Sequence, residues 1–269
     1  MNLILDMNYR IINYLAILLL LSQCATPIEN CTDPIAQNYD ASADKNCCCT
    51  YYQLRLALNH QWNDSTSFAY NNPFTDVNGD TFEIQDIQLY ISDAHLVDVQ
   101  GNTAEVYDSI FLIQNNGVSD WYTDDFALMS AGVLNLDLGD FFSLGTYNQL
   151  KFAVGLSPEV RQTDPNQVSD TEHSLYTDNA LYDATNSTYY LGKLQFIVPS
   201  QLDTFDVFLT DSLQVQLDTT IISVDGANTS IALDVNYEKL LNGVTVSSTN
   251  ISNMATQLKA NLNNLFSLQ

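Results

Sequence analysis

The chain has 269 residues and carries 32 Asp and Glu against 8 Lys and Arg, a formal net charge of −24 at pH 7. Such a surface repels phosphate polymers and anionic lipid, which are bound through Lys and Arg, so nucleic-acid binding is excluded. With 46% hydrophobic residues, 15 Tyr and 12 Phe, the chain is too apolar for a disordered acidic tail and suits one large β domain.

The N-terminus reads as an export signal. Arg10 precedes the apolar run 11–21, which is too short to span a bilayer, and Ser22-Gln23-Cys24 follows. Cleavage before Cys24 predicts acylation of its thiol and a membrane anchor at the first mature residue. Plain secretion is the alternative, because Gln23 stands where a bacterial lipobox carries Gly, Ala or Ser. Removing residues 1–23 takes away Asp6 and Arg10, so the mature chain keeps the charge of −24.

All five cysteines fall early, at Cys24, Cys31, Cys47, Cys48 and Cys49, which separates a short Cys-rich module (24–50) from a cysteine-free body (51–269). In an oxidising compartment Cys31 is expected to bond to one of the triplet, since adjacent cysteines pair poorly with each other. Two bridges, or one bridge with thiols left over, both fit, and three consecutive thiolates can also take a soft metal such as Cu(I). The stretch Cys31-Thr32-Asp33-Pro34-Ile35-Ala36-Gln37-Asn38-Tyr39-Asp40, with Ala43 and the closing cysteines, resembles a short module of Bacteroidetes surface and secreted proteins. It is too small to bury a core, and its place implies a spacer between anchor and body.

From Tyr51 onward the period is that of strands. Tyr52, Leu54, Leu56 and Leu58 alternate with Gln53, Arg55 and Ala57. In segment 81–99, Phe82 and Ile84 share one parity and Ile87, Leu89 and Ile91 the other, which predicts a bulge at Gln85-Asp86. Further strands are expected over 105–113, 149–155, 189–198, 204–209, 213–223 and 229–236. Turn signals stand at Asn78-Gly79, Gly101, Asn116-Gly117 and Asp225-Gly226. Helical spacing appears only near the end, where Ile251, Ala255, Leu258, Leu262, Leu265 and Phe266 fall on one face. The expected fold is all-β, an antiparallel β-sandwich with a C-terminal α-helix packed against it.

The order of Phe82-Glu83-Ile84, Leu89-Tyr90-Ile91-Ser92-Asp93, Tyr147 to Leu156, Tyr190-Leu191-Gly192-Lys193-Leu194 and Ile231 to Val235 resembles the MbnP-like family. That family comprises exported β-sandwich proteins linked to copper and its peptide chelators. The resemblance implies copper as the cofactor or cargo. The chain departs from it at Ala180-Leu181-Tyr182, where relatives carry a Trp, and at Asp206-Val207-Phe208-Leu209-Thr210, where relatives carry a His.

The remaining metal candidates are three imidazoles. His60 follows the first strand, His95 lies in Ser92-Asp93-Ala94-His95, and His173 sits beside Glu172 in the long polar loop 157–187. Calcium ranks behind copper. Asp76-Val77-Asn78-Gly79-Asp80 with Glu83 has glycine and glutamate out of place for a calcium loop and reads as a hairpin turn, and Asp120, Asp124 and Asp125 read as a solvated loop. No nucleophile elbow, zinc-protease helix or phosphate loop is present, so a non-catalytic protein is expected. The reading is an outer-membrane lipoprotein, facing the periplasm or the cell surface, that captures copper or a metal complex. The alternative is a structural or adhesive module that partners an outer-membrane receptor.

Overall fold

A computed structural model describes residues 26–176, 180–199 and 203–269. Cys24 and the proposed signal segment lie outside these residues. The chain divides between Tyr51 and Tyr52 into two compact units.

In the first unit, the two-residue strands Glu29–Asn30 and Lys45–Asn46 pair in parallel, and a Cys31–Cys49 disulfide closes the loop. The motif residues hold this loop through side-chain-to-backbone bonds rather than through a core. Asp33 accepts from the Ile35 amide at 3.1 Å and from the Tyr51 hydroxyl at 3.0 Å, and Asp40 accepts from the Ser42 amide at 2.8 Å. Asn38 donates to the Cys48 carbonyl at 2.7 Å and accepts from the Thr50 amide at 2.9 Å. Such local bonds are the usual work of Asx residues in turns.

The second unit is built on two sheets. The larger contains β2 (Thr81–Val97), β4 (Gly145–Val154), β5 (Gly192–Val198), β6 (Asp203–Leu209) and β7 (Leu213–Ser223), ordered β6-β5-β2-β4-β7 and antiparallel throughout. Short strands Pro73–Thr75, Thr103–Glu105 and Ala127–Ser130 also pair with β2. The smaller contains β1 (Gln53–Asn63), β3 (Asn135–Asp140), β8 (Thr229–Asn236) and β9 (Phe266–Leu268), ordered β3-β1-β8-β9, with β1 and β8 parallel. Leu54, Leu56 and Leu58 of β1 and Ile231, Leu233 and Val235 of β8 are buried in one cluster with Leu89, Leu150 and Phe152. The rings of Phe152 and Phe266 meet edge-on at 5.2 Å from opposite sheets. This is the all-β sandwich expected from the strand periodicity.

The parity switch in β2 is a bulge: Ile84 faces Phe196 and Asp86 faces Gln195, which leaves Gln85 unpaired while Ile84 and Ile87 both stay buried. A second irregularity sets Ser92 opposite Ala153 and His95 opposite Lys151, with Asp93 at φ +53°. The Asn78-Gly79 signal is a turn between Pro73–Thr75 and β2, with Gly79 at φ +87°.

Four expectations need correction. Segment 105–113 is two strands, because the Tyr107 amide leaves the sheet to donate to the Asp140 carbonyl at 2.9 Å and Ser109–Ile113 forms its own hairpin with Ser119–Thr123. Segment 189–198 is also broken, since Thr188–Tyr189 pairs with Tyr182–Asp183 and β5 starts at Gly192. Helix α2 (Ile251–Asn261), which follows the short α1 (Tyr237–Leu240), buries Met254 and Leu258 and packs beside β6. It ends at Asn261, and Phe266 belongs to β9 instead of the helix face. His60 lies inside β1, on the buried parity of Leu54, Leu56 and Leu58, and not after the strand.

Candidate functional site

Alternation along β2 sends Tyr90 to the face opposite Leu89 and Ile91. There it joins a second apolar cluster with Leu112, Phe126, Leu156, Val160, Leu175 and Tyr189. The described residues of loop 157–187 are therefore anchored over this face by buried side chains such as Val160, Val168, Leu175 and Leu181. Two tyrosines fix its middle: Tyr90 donates to the Ser174 carbonyl at 2.8 Å, and the buried Tyr189 donates to the Leu175 carbonyl. Burial pushes the Tyr189 phenol well above its ordinary range, so it stays a donor.

This anchoring positions His173. Its Nδ1 accepts from the Leu175 amide at 3.2 Å, which leaves the proton on Nε2, 3.2 Å from Asp124 Oδ1. The ring meets Phe126 edge-on at 5.4 Å. The pair opens on a cleft of about 660 Å³ that is also lined by Asp108, Asp137, Asp170 and Glu172. Glu172 is exposed, and its backbone amide donates to Asp170 at 2.9 Å. Asp137 is held by the Arg55 guanidinium, with Nη2 at 3.0 Å, and Asp108 accepts from the Asp140 amide at 2.8 Å. Burial, followed by repulsion from Asp108, raises the Asp140 carboxyl to about 6.

A second cleft, of about 460 Å³, shares the Phe126 wall. His95, Asp93, Glu105 and Asp125 line it. His95 Nδ1 donates to the Asp93 carbonyl at 3.0 Å, and the Asp125 carboxylate accepts from the Ala94 amide at 3.0 Å. Burial raises the Asp125 carboxyl to about 6, against the lowering effect of the Ala94 amide and with repulsion from Asp93 and Asp124 adding to the rise. Sequence reasoning placed Asp125 in a solvated loop. The residue is half-buried, and its carboxylate accepts from an amide 31 residues away in sequence, a contact with no local signature.

The three imidazoles stand in three places. His60 lies in the sandwich core, with Nε2 donating to the Val133 carbonyl at 2.8 Å and Nδ1 accepting from the Tyr237 hydroxyl at 2.7 Å. Burial lowers its pKa, and its two nitrogens are committed to these structural bonds. The Asp76 carboxylate is likewise spent on backbone, accepting from Asn78 at 2.8 Å, Asp80 at 3.0 Å and Val246 at 3.0 Å, as a turn requires. Asp120, Asp124 and Asp125 diverge to separate partners: the Trp121 amide, His173 and the Ala94 amide. Among the described residues, no group of three His, Cys, Asp or Glu side chains is arranged to hold a metal ion.

A largely antiparallel sandwich, with one parallel pair, whose loops border two acidic clefts, each with one imidazole at its wall, is an all-β scaffold suited to holding a ligand at its surface. The chain belongs to the MbnP family, which it matches over residues 51–256. Among solved structures it is similar to MbnP from Methylosinus trichosporium, at 14% identity and a TM-score of 0.42, over 71% of this chain and 76% of that one. No curated protein matches it.

Proposed function

We propose that the protein is an exported, lipid-anchored, non-catalytic binding protein of the cell envelope, and that it captures copper or a copper complex in the cleft beside His173. The observation that carries this reading is His173 held against Asp124 at the wall of an open acidic cleft. Imidazole suits copper: Nδ1 of His173 becomes the ligand by leaving the Leu175 amide, while Nε2–H stays on Asp124, which fixes the ring and adds to its basicity. The cleft is far larger than a bare ion needs and falls within the range of small-molecule sites, which favours a metal complex over the ion alone. Membership of the MbnP family supports the same assignment.

Copper titration tests the site. His173→Ala is expected to weaken binding of Cu(II) or Cu(I) by at least about 10-fold. A wild-type chain that binds copper in neither oxidation state would falsify the reading. The anchor is tested separately: Cys24→Ser is expected to move the mature protein from the membrane fraction to the soluble fraction. An unchanged distribution sinks the lipid and leaves the cleft untouched.

A further inference from the structure

Trp62, near the end of β1, is half-buried, and Phe74 covers one side of its indole, with ring centroids 3.7 Å apart and planes 19° from parallel. Phe74 takes no part in the cleft of about 650 Å³ that Trp62 lines together with the buried Phe82 of β2, so the indole offers that cleft the side Phe74 leaves uncovered. Neither His173 nor His95 borders it. The polar side comes from α1 and from the turns that follow α1 and α2, through Glu238, Lys239, Asn242 and Asn264. These walls are tied together. Asn261 Nδ2 donates to the Leu240 and Asn242 carbonyls at 2.9 and 2.8 Å, and the Asp76 carboxylate accepts from the Val246 amide at 3.0 Å. The cleft is therefore formed before a ligand arrives, which lowers the ordering cost of binding. Its polar groups divide into spent and unspent. Asp76 is committed to backbone amides, and the Lys239 ammonium lies 3.3 Å from Asp64, which is not part of the cleft. Glu238, Asn242 and Asn264 are exposed, and among the described residues their side chains make no hydrogen bond.

We propose that this cleft binds a neutral saccharide, stacked on Trp62 and held at its rim by Asn242, Asn264 and Glu238. A pyranose has an apolar C–H face and an edge of hydroxyls that each donate and accept. The indole presents a flat apolar surface with a negatively polarised face, which suits the C–H face. A carboxamide donates and accepts at once, and a carboxylate accepts on both oxygens, which suits the hydroxyl edge. Charge narrows the class. An anion meets Glu238, Asp76 and the field of a chain of net charge −24. An organic cation drawn to the indole meets the Lys239 ammonium in the same wall. A purely apolar ligand would cover the three free side chains without giving them a partner. A volume of about 650 Å³ falls within the range of small-molecule sites and accommodates a disaccharide.

The test is a fluorescence titration of the full chain with the neutral disaccharides cellobiose, maltose and chitobiose in its N-acetylated form, with sodium glucuronate and choline as charged probes. The chain has two tryptophans, so Trp121→Phe leaves Trp62 as the single indole reporter. Its emission is expected to shift with at least one disaccharide and with neither charged probe. Calorimetry with that disaccharide is expected to show binding weakened at least about 10-fold in Trp62→Ala. Because Trp62 also packs on Phe74 and Phe82, Asn242→Ala and Asn264→Ala repeat the test at exposed positions, where the melting temperature should hold and each loss should weaken binding about 3–10-fold. The proposal is overturned if no disaccharide moves the Trp62 emission, if Trp62→Ala or the Asn242→Ala/Asn264→Ala double variant binds undiminished, or if choline or glucuronate binds in preference. Binding that survives Trp62→Ala and is lost in Trp121→Ala belongs to the exposed Trp121 hairpin and overturns it as well. No residue of the His173 cleft lines this one, so a chain that binds no copper still puts the sugar to the test.

Discussion

Phe82→Ala is expected to destabilise the sandwich domain by about 3–5 kcal/mol, the largest loss of any single truncation considered for this chain. Phe82 is 1% exposed and stands where the two sheets meet. From β2 it contacts Trp62 of β1 at 6.4 Å, Phe74 at 6.0 Å and Phe196 of β5 at 6.0 Å. Removing the ring leaves a cavity among three aromatics that cannot collapse together, because their strands are pinned in separate ladders. Edge-on and tilted ring pairs add about 0.5–1.5 kcal/mol each beyond buried area. For a domain of this length the thermal midpoint should fall by roughly 6–20 °C. Phe111→Ala is the control. Phe111 is 47% exposed and meets the Trp121 ring at a tilt, 5.5 Å away across a surface hairpin, so its loss should cost less than about 1 kcal/mol. A thermal scan in which the two variants melt alike would show that the sheets are not joined through this cluster.

Where burial alternates strictly, the chain could be read residue by residue. The bounds 213–223 and 229–236 coincide with β7 and β8 because each strand has one face on the core and one in water. The bulge at Gln85 was legible for the same reason, since an extra residue is the cheapest way to keep Ile84 and Ile87 on one side. The elements that escaped are set by distant partners. Phe266–Leu268 continues a helical spacing locally, yet pairs with Leu233–Val235, and three residues carry too little pattern to announce a strand. Asn135–Asp140 does alternate, with Leu136 and Leu138 buried, so its signal was present and unread. The His173 loop was legible as a candidate by its length and polarity. Its anchoring by Tyr90 and Tyr189 was not, because those hydroxyls reach it from other elements.

Asp125→Asn is expected to stabilise the domain at pH 7.5 and to flatten its stability between pH 4 and 7. The wild-type carboxyl titrates at about 6 in the fold, against about 3.9 in an unfolded chain. Between these values the folded chain binds more protons than the unfolded one, so stability falls as pH rises through this window. Below about pH 4 both states are protonated and the stabilisation is complete. Above about 6 it is gone, and the partly buried carboxylate costs at most about 3 kcal/mol relative to its protonated form, less to the extent that water in the cleft screens it. Asparagine keeps an oxygen to accept from the Ala94 amide and carries no charge into the pocket that Asp93 and Asp124 already make negative. Asp140, also raised to about 6, acts in the same window, so the slope should shrink and not vanish in the single variant. His60, whose pKa burial lowers, acts with the opposite sign inside this window but equally in both chains, so the comparison of variant with wild type cancels it; Asp98 and Asp183, also lowered, act at more acid pH. Urea midpoints measured from pH 4 to 8 decide the matter. A variant whose midpoints track the wild type across the whole range would mean that Asp125 is hydrated and ionised in the fold, and that the cleft beside His95 is wetter than its geometry implies.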